Sequence, residues 1–160
     1  MMENIDRDLI MATTNKTKAE YYQSLLAKNR WRVLTLAEVG LREKEVEENG
    51  KTPEENALLK VQGYWQEVKK PIMAVDYGLY IDKFSQEKQP GREVRRVDGQ
   101  RLSDEEMLTY YVMELEKVGG ESEGSWVTGV AAVNARGEFH SCSLKSRTYF
   151  ISSVSMVRNE

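Results

Sequence analysis

The chain has 160 residues, 40% of them hydrophobic and 31% charged, a balance that argues against a disordered or membrane-embedded class and is long enough for one substantial core. Its 23 basic and 26 acidic residues leave a formal charge of −3, which argues against a broad nucleic-acid surface but leaves room for a phosphate site made by a few lysines. No apolar run approaches the roughly 20 residues that cross a bilayer, and the polar start, Met1 to Arg7, lacks a signal-peptide core, so neither a membrane nor a nucleic acid is expected as partner. Cys142 is the single cysteine, so no internal disulfide forms and a reducing, cytoplasmic setting is the simpler expectation. On its predicted strand it reads as half-buried rather than as a nucleophile.

Leu9, Ile10 and Met11 predict a short buried strand, followed by the polar corner Ala12-Thr13-Thr14-Asn15. Ala19, Tyr22, Leu25 and Leu26 then recur at helical spacing, and Trp31, Val33 and Leu34 predict a second strand. Residues 37–50 are an acidic, glycine-ended stretch. Thr52 and Glu55 form a capping box with Pro53 at the first helical position, opening a helix whose face is Ala57, Val61, Trp65 and Val68. Pro71 closes it. Ile72 to Val75 predict an apolar strand ending at Asp76, with Leu79-Tyr80-Ile81 continuing after a turn at Gly78. Residues 83–102 read as a long loop, of the kind that is usually functional or mobile. Ser103 and Glu106 make a second capping box, with Leu108, Tyr111, Leu115 and Val118 facing inward. Trp126 to Val133 and Glu138 to Leu144 predict a hairpin, and residues 147–151 a further strand. The expected fold is therefore α/β: a single domain over residues 1–160, a mixed central sheet flanked by helices, and an antiparallel C-terminal portion.

Three places carry chemistry. The Thr13 to Lys18 corner lies between a strand and a helix, where exposed backbone N–H groups and the helix dipole favour an anion. Its two lysines oppose that dipole, a conflict that a bound phosphate resolves; the plainer reading is a helix cap with solvated lysines. Asp76, after four apolar residues and before Tyr77-Gly78, suits metal or proton-transfer work, or else simply forms a turn. Glu47-Glu48 supply either a carboxylate for a hard cation such as magnesium or a solvated acidic loop. Two lures fail. Gly50-Lys51-Thr52 lacks the first glycine of a P-loop, which falls on Glu45, and His140 with Cys142 has no further partners for zinc.

Taken in order, these segments resemble the inosine triphosphate pyrophosphatase family. Its A-T-x-N-x-x-K is met by Ala12 to Lys18, and its E-E-x-G-x-T-x-x-E-N-A-x-x-K by Glu47 to Lys60, the most specific match. A-D-D-S-G-L-x-V-D corresponds to Ala74 to Asp82, and P-G-x-x-S-A-R-Y to Pro90 to Val97, with the likeness extending over about 8–151. The resemblance implies magnesium-dependent hydrolysis of deaminated purine nucleoside triphosphates to monophosphate and pyrophosphate, clearing the nucleotide pool, by a homodimer. It assigns phosphate oxygens to Lys18 and Lys60, helped by Thr13, Asn15, Gly78 and Arg96, and magnesium to Glu47 and Asp76, with Asp76 also orienting or deprotonating water. Val75 stands where the family has an acid, and Tyr77 replaces a small hydroxyl residue. The chain ends at Glu160, before the G-F-G-Y-D-P and S-H-R segments to which the resemblance assigns the purine pocket. Weak base discrimination is therefore expected. The alternatives are a binding or regulatory homologue without turnover, and a hydrolase with a different base preference.

Overall fold

The computed structural model describes residues 7–42 and 49–152. Strand β1 is Arg7–Met11, helix α1 Lys16–Ala27, β2 Trp31–Thr35, α2 Pro53–Val68 and β3 Ile72–Ile81. There follow the short strands β4 (Arg96–Val97) and β5 (Gln100–Arg101), helix α3 (Asp104–Lys117), β6 (Glu121–Val133) and β7 (Phe139–Ile151). Five strands form one sheet in the order β2-β1-β3-β6-β7. Strand β1 runs parallel to β2, with Leu9 opposite Val33, and parallel to β3, with Ile10 opposite Ile72. The five residues between β6 and β7 are too few for a crossover, so this neighbouring pair is an antiparallel hairpin. The α/β class with a mixed sheet and an antiparallel C-terminal part is as expected.

The chain clusters into two compact units, and the boundary falls inside β3. One unit ends at Asp76 and takes in Gly129–Ser143; the other is Tyr77–Thr128 with the chain from Leu144 on. In the first unit, Ala57, Val61, Tyr64 and Trp65 of α2 bury against Ile10, Ile72, Ala74, Ala131 and Val133 of the strands. In the second, Leu79, Ile81, Phe84 and Leu115 form the core, with Val94, Tyr111, Val118 and Phe150 packed on it.

Local chemistry sets the helix starts. Thr52 Oγ1 accepts the Glu55 N–H at 3.2 Å and Pro53 occupies the first turn, but the predicted box is not closed, because the Glu55 carboxylate takes the Lys51 N–H instead. At α3 the box is complete: Ser103 Oγ accepts the Glu106 N–H, and the Glu106 carboxylate accepts the Ser103 N–H at 2.8 Å. Lys69, in the left-handed region at φ 49°, ends α2 two residues before Pro71.

Several expectations need correction. Gly78 is no turn: it is buried within the continuous ten-residue β3. Leu25 is 45% exposed, because it lies well off the Ala19, Tyr22, Leu26 stripe of α1. Leu108 shares the stripe of Tyr111 and Leu115 yet is 66% exposed, since cover begins only a turn later. The 83–102 segment is pinned rather than loose. Leu79 and Gly91 exchange two backbone hydrogen bonds at 2.8 Å, and the Gln89 side chain bonds the Ile81 N–H and carbonyl as a strand would. Asp98 and Gly99, both at positive φ, turn β4 back onto β5. Residues 147–151 are not a separate strand but the end of β7, on which Cys142 is exposed rather than half-buried.

Candidate functional site

The carboxyl end of β1 is where the sheet changes direction, since the next strands, β2 and β3, pair on its opposite sides. In open α/β sheets such a switch point leaves a crevice beyond the strand ends that ligands use. The chain leaves β1 through residues 12–15, held beside β3 by the Ala12 N–H donated to the Met73 carbonyl at 2.8 Å. Thr13 Oγ1 accepts the Asn15 N–H at 3.1 Å, and Asn15 Oδ1 accepts the Lys18 N–H at 3.0 Å, which starts α1. The first turn has no acid; it has Lys16 and Lys18. Exposed Lys16 lies 3.8 Å from Glu20, whereas half-buried Lys18 turns toward the sheet and donates from Nζ to the Val75 carbonyl at 3.1 Å. That places its ammonium beside the residue preceding Asp76.

Asp76 is fixed from the other side by α2. Asn56, fully buried, donates from Nδ2 to Asp76 Oδ2 at 3.0 Å, and its Oδ1 accepts the Gly50 N–H at 2.9 Å. A Cβ at Gly50 would lie 2.7 Å from Asn56 Oδ1, so only glycine admits this approach. Lys60 lies one turn along α2 from Asn56, half-buried. The start of α2 is itself seated on β6 at Gly129, where a Cβ would come within 2.2 Å of Pro53 backbone.

The first unit thus gathers Thr13, Asn15, Lys18 and Asp76, with Lys60 a helical turn from the residue that holds Asp76. Gly78 and Arg96 belong to the second unit, where exposed Arg96 lines a cleft of about 340 Å³ with Lys88 and Tyr110. Glu47 and Glu48 lie outside the described residues. Among the described residues, no three or more His, Cys, Asp or Glu side chains cluster as a metal site. Asp76 nevertheless fits magnesium, which takes hard oxygen donors and is commonly held by one or two carboxylates together with substrate phosphates. Val75 is buried at 3% exposure and serves the corner through its carbonyl alone.

Residues 9–147 match the sequence profile of the Ham1 family. The chain belongs to that family. Its expected kinship with the inosine triphosphate pyrophosphatases is borne out by relatives of that kind. A dITP/XTP pyrophosphatase of Bacillus subtilis (strain 168) is 32% identical over 134 residues, covering 84% of this chain and 66% of that protein. Another from Halalkalibacterium halodurans is 30% identical over 112 residues, covering 70% of this chain and 56% of that protein. This Ham1-family chain therefore spans less than two thirds of those relatives' length. The Staphylococcus aureus Ham1 protein shares the fold at a TM-score of 0.71 and 22% identity, over 88% of this chain and 70% of that one. A HAM1 protein from Coxiella burnetii does so at 0.68 and 23%, over 90% and 71%.

Asn56 is the residue that sequence reasoning passed over. The signal was present: a polar side chain immediately before Ala57, on the stripe that α2 buries. A buried amide needs partners, and here they are one backbone N–H and one carboxylate.

Proposed function

We propose that this chain binds a nucleoside triphosphate with its phosphates at the Thr13 to Lys18 corner and hydrolyses it to monophosphate and pyrophosphate. The observation that carries the reading is the convergence of Lys18 and the Asn56-held Asp76 at the switch point of the sheet. Lys18 and Lys60 neutralise phosphate oxygens, while the Thr13 hydroxyl and the Asn15 amide contribute hydrogen bonds. Asp76, kept in one orientation by Asn56, orients water and takes its proton. The water oxygen bonds to the α-phosphorus, the α–β bridging bond breaks, and its oxygen leaves with pyrophosphate. Asp76 and Glu47 would hold magnesium, which would supply positive charge against the oxygens on which negative charge builds.

The dITP/XTP pyrophosphatase names of the relatives support deaminated purine nucleotides as substrates and clearance of the nucleotide pool as the role. The single cysteine supports a reducing, cytoplasmic setting, and the family likeness supports a homodimer. One observation favours a second reading, a nucleotide-binding homologue without turnover: buried Val75 stands where the family pattern has an acid, leaving Asp76 without its paired carboxylate. Pyrophosphate release, measured with magnesium over a panel of standard and deaminated triphosphates, separates the two. The hydrolase reading expects turnover in the parent that is lost in Asp76→Asn. Tight binding without turnover of any triphosphate establishes the second reading instead.

A further inference from the structure

The β4–β5 hairpin of the second unit sets two like charges face to face. Asp98 and Gly99, both at positive φ, make its two-residue turn, so Val97 stands opposite Gln100 and Arg96 opposite Arg101. The next rung is closed by the Leu102 N–H, donated to the Arg95 carbonyl at 2.8 Å. Bonded and non-bonded pairs alternate along an antiparallel ladder, so Arg96 and Arg101 form a non-hydrogen-bonded pair. Such residues stand about 4.5 Å apart at Cα, with their side chains at the closest approach the ladder allows. Like charges directly opposite each other destabilise a hairpin. We propose that a phosphate group bridges the two guanidinium groups, which makes this ribbon an oxyanion site. The site shares no residue with the Thr13 to Lys18 corner and does not rest on the reading of that corner.

The neighbouring arginine shows the contrast. Arg95, whose side chain leaves the other face of the ribbon, has its counter-ion in the Asp104 carboxylate. Among the described residues, no carboxylate lies within ion-pair distance of Arg96 or Arg101, and both are exposed. Glu93 and Asp98 line a cleft with Arg96 yet pair with neither arginine. The backbone of the ribbon is also tied down, so its strands do not part to relieve the repulsion. The Tyr111 hydroxyl donates to the Val94 carbonyl at 2.9 Å, Val94 packs on the core of the second unit, and the Arg96 N–H is donated to the Glu93 carbonyl at 2.8 Å. Oxygen count and charge select phosphate over carboxylate. One arginine fork takes both oxygens of a carboxylate, whereas a phosphate group keeps a further oxygen for the second fork. Its charge of about −1.5 to −2 at neutral pH also matches two guanidinium groups, where a carboxylate leaves one unbalanced. Beside Arg96 the cleft of about 340 Å³, walled by Tyr110 and Tyr111, has room for the organic part of a phosphate ester.

Two-dimensional NMR of the full chain reads the ribbon directly, through the Gly99 amide and the Nε–H signals of Arg96 and Arg101. Inorganic phosphate should shift all three saturably, and acetate at equal ionic strength should bind at least about tenfold more weakly. Arg101→Gln should weaken the phosphate response at least about tenfold. Arg101→Glu, which puts the opposite charge across from Arg96, should abolish it and melt above the parent in phosphate-free buffer. Lys18→Ala should keep the response in full, so that failure of the corner and failure of the ribbon are told apart. Phenyl phosphate identifies the source of the group. Affinity no better than that of inorganic phosphate means that the ribbon takes the free anion; tighter binding with shifts at Tyr110 means a phosphate ester seated in the cleft, and either sustains the site. No saturable shift in the parent, acetate as effective as phosphate, or an undiminished response in both Arg101 variants overturns it.

Discussion

At the start of α1 two lysines face the positive end of a helix dipole, an arrangement that costs about 0.3–1 kcal/mol each at an exposed site. Lys16 offsets this with Glu20, four residues on, and Lys18 with the Val75 carbonyl. Lys18→Ala should therefore leave the melting temperature nearly unchanged while weakening tripolyphosphate binding about ten- to hundredfold, the range of a hydrogen bond to a charged group of roughly 1.5–3 kcal/mol. Unchanged affinity in a titration of the folded variant would remove the phosphate assignment. Asn56 is expected to behave in the opposite way. Asn56→Ala strips the buried Gly50 N–H of its acceptor and Asp76 of its donor, and should lower stability by about 1–3 kcal/mol as read from the urea midpoint. It should also lower kcat, because the Asp76 carboxylate regains its rotational freedom. A variant as stable and as active as the parent would show that Asn56 fixes nothing.

Elements were legible in the sequence where their causes are local. The Ser103–Glu106 box works across three residues, and the structure closes it as read. Gly78 was misread because glycine signals a turn only when nothing else holds the chain straight. Here the strand runs on past it to Leu79 and Gly91, which exchange two hydrogen bonds, a non-local cause that no window reveals. Asn56 was missed for the same reason: its partners are 6 and 20 residues away. The seating of α2 on β6 is equally non-local, since it depends on Gly129 having no side chain opposite Pro53 and Glu54. A Cβ there would meet Glu54 N at 2.1 Å, a backbone atom that cannot swing aside. Gly129→Ala should destabilise by about 1–3 kcal/mol through overpacking and, by tilting the start of α2, weaken metal-dependent turnover as well. A melting temperature and kcat/KM like those of the parent would show that the helix is seated some other way.

At the scale of the molecule, hydrogen bonds to ionised carboxylates contribute to the acid limb of stability. Arg32 lowers the pKa of Asp8, Thr35 that of Glu38, Arg147 that of Asp82 and the Ser103 N–H that of Glu106. A carboxyl group lowered in the fold adds stability that is fully present above its unfolded value, 3.8 for Asp and 4.5 for Glu, and is lost as pH falls through the lowered one. Urea midpoints should therefore hold from neutrality down to about pH 5 and fall below it. At the alkaline end the sign reverses. Burial pushes the Tyr111 phenol, which donates to the Val94 carbonyl at 2.9 Å, up to about 12 from 10.0, so its contribution holds below pH 10 and is lost as pH rises toward 12. Tyr111→Phe should flatten that limb of a melting-temperature profile, and an identical alkaline decline in the variant would assign it elsewhere. The placement of β1 also has a consequence in time. Strand β1 lies inside the sheet, yet of its two neighbours β3 arrives only after a loop of roughly sixty residues has closed around α1, β2 and α2. Long parallel closures are slow. On the ribosome, β1 must wait half-paired until Ile72 has left the exit tunnel, while the β6–β7 hairpin can zip within microseconds of its own emergence.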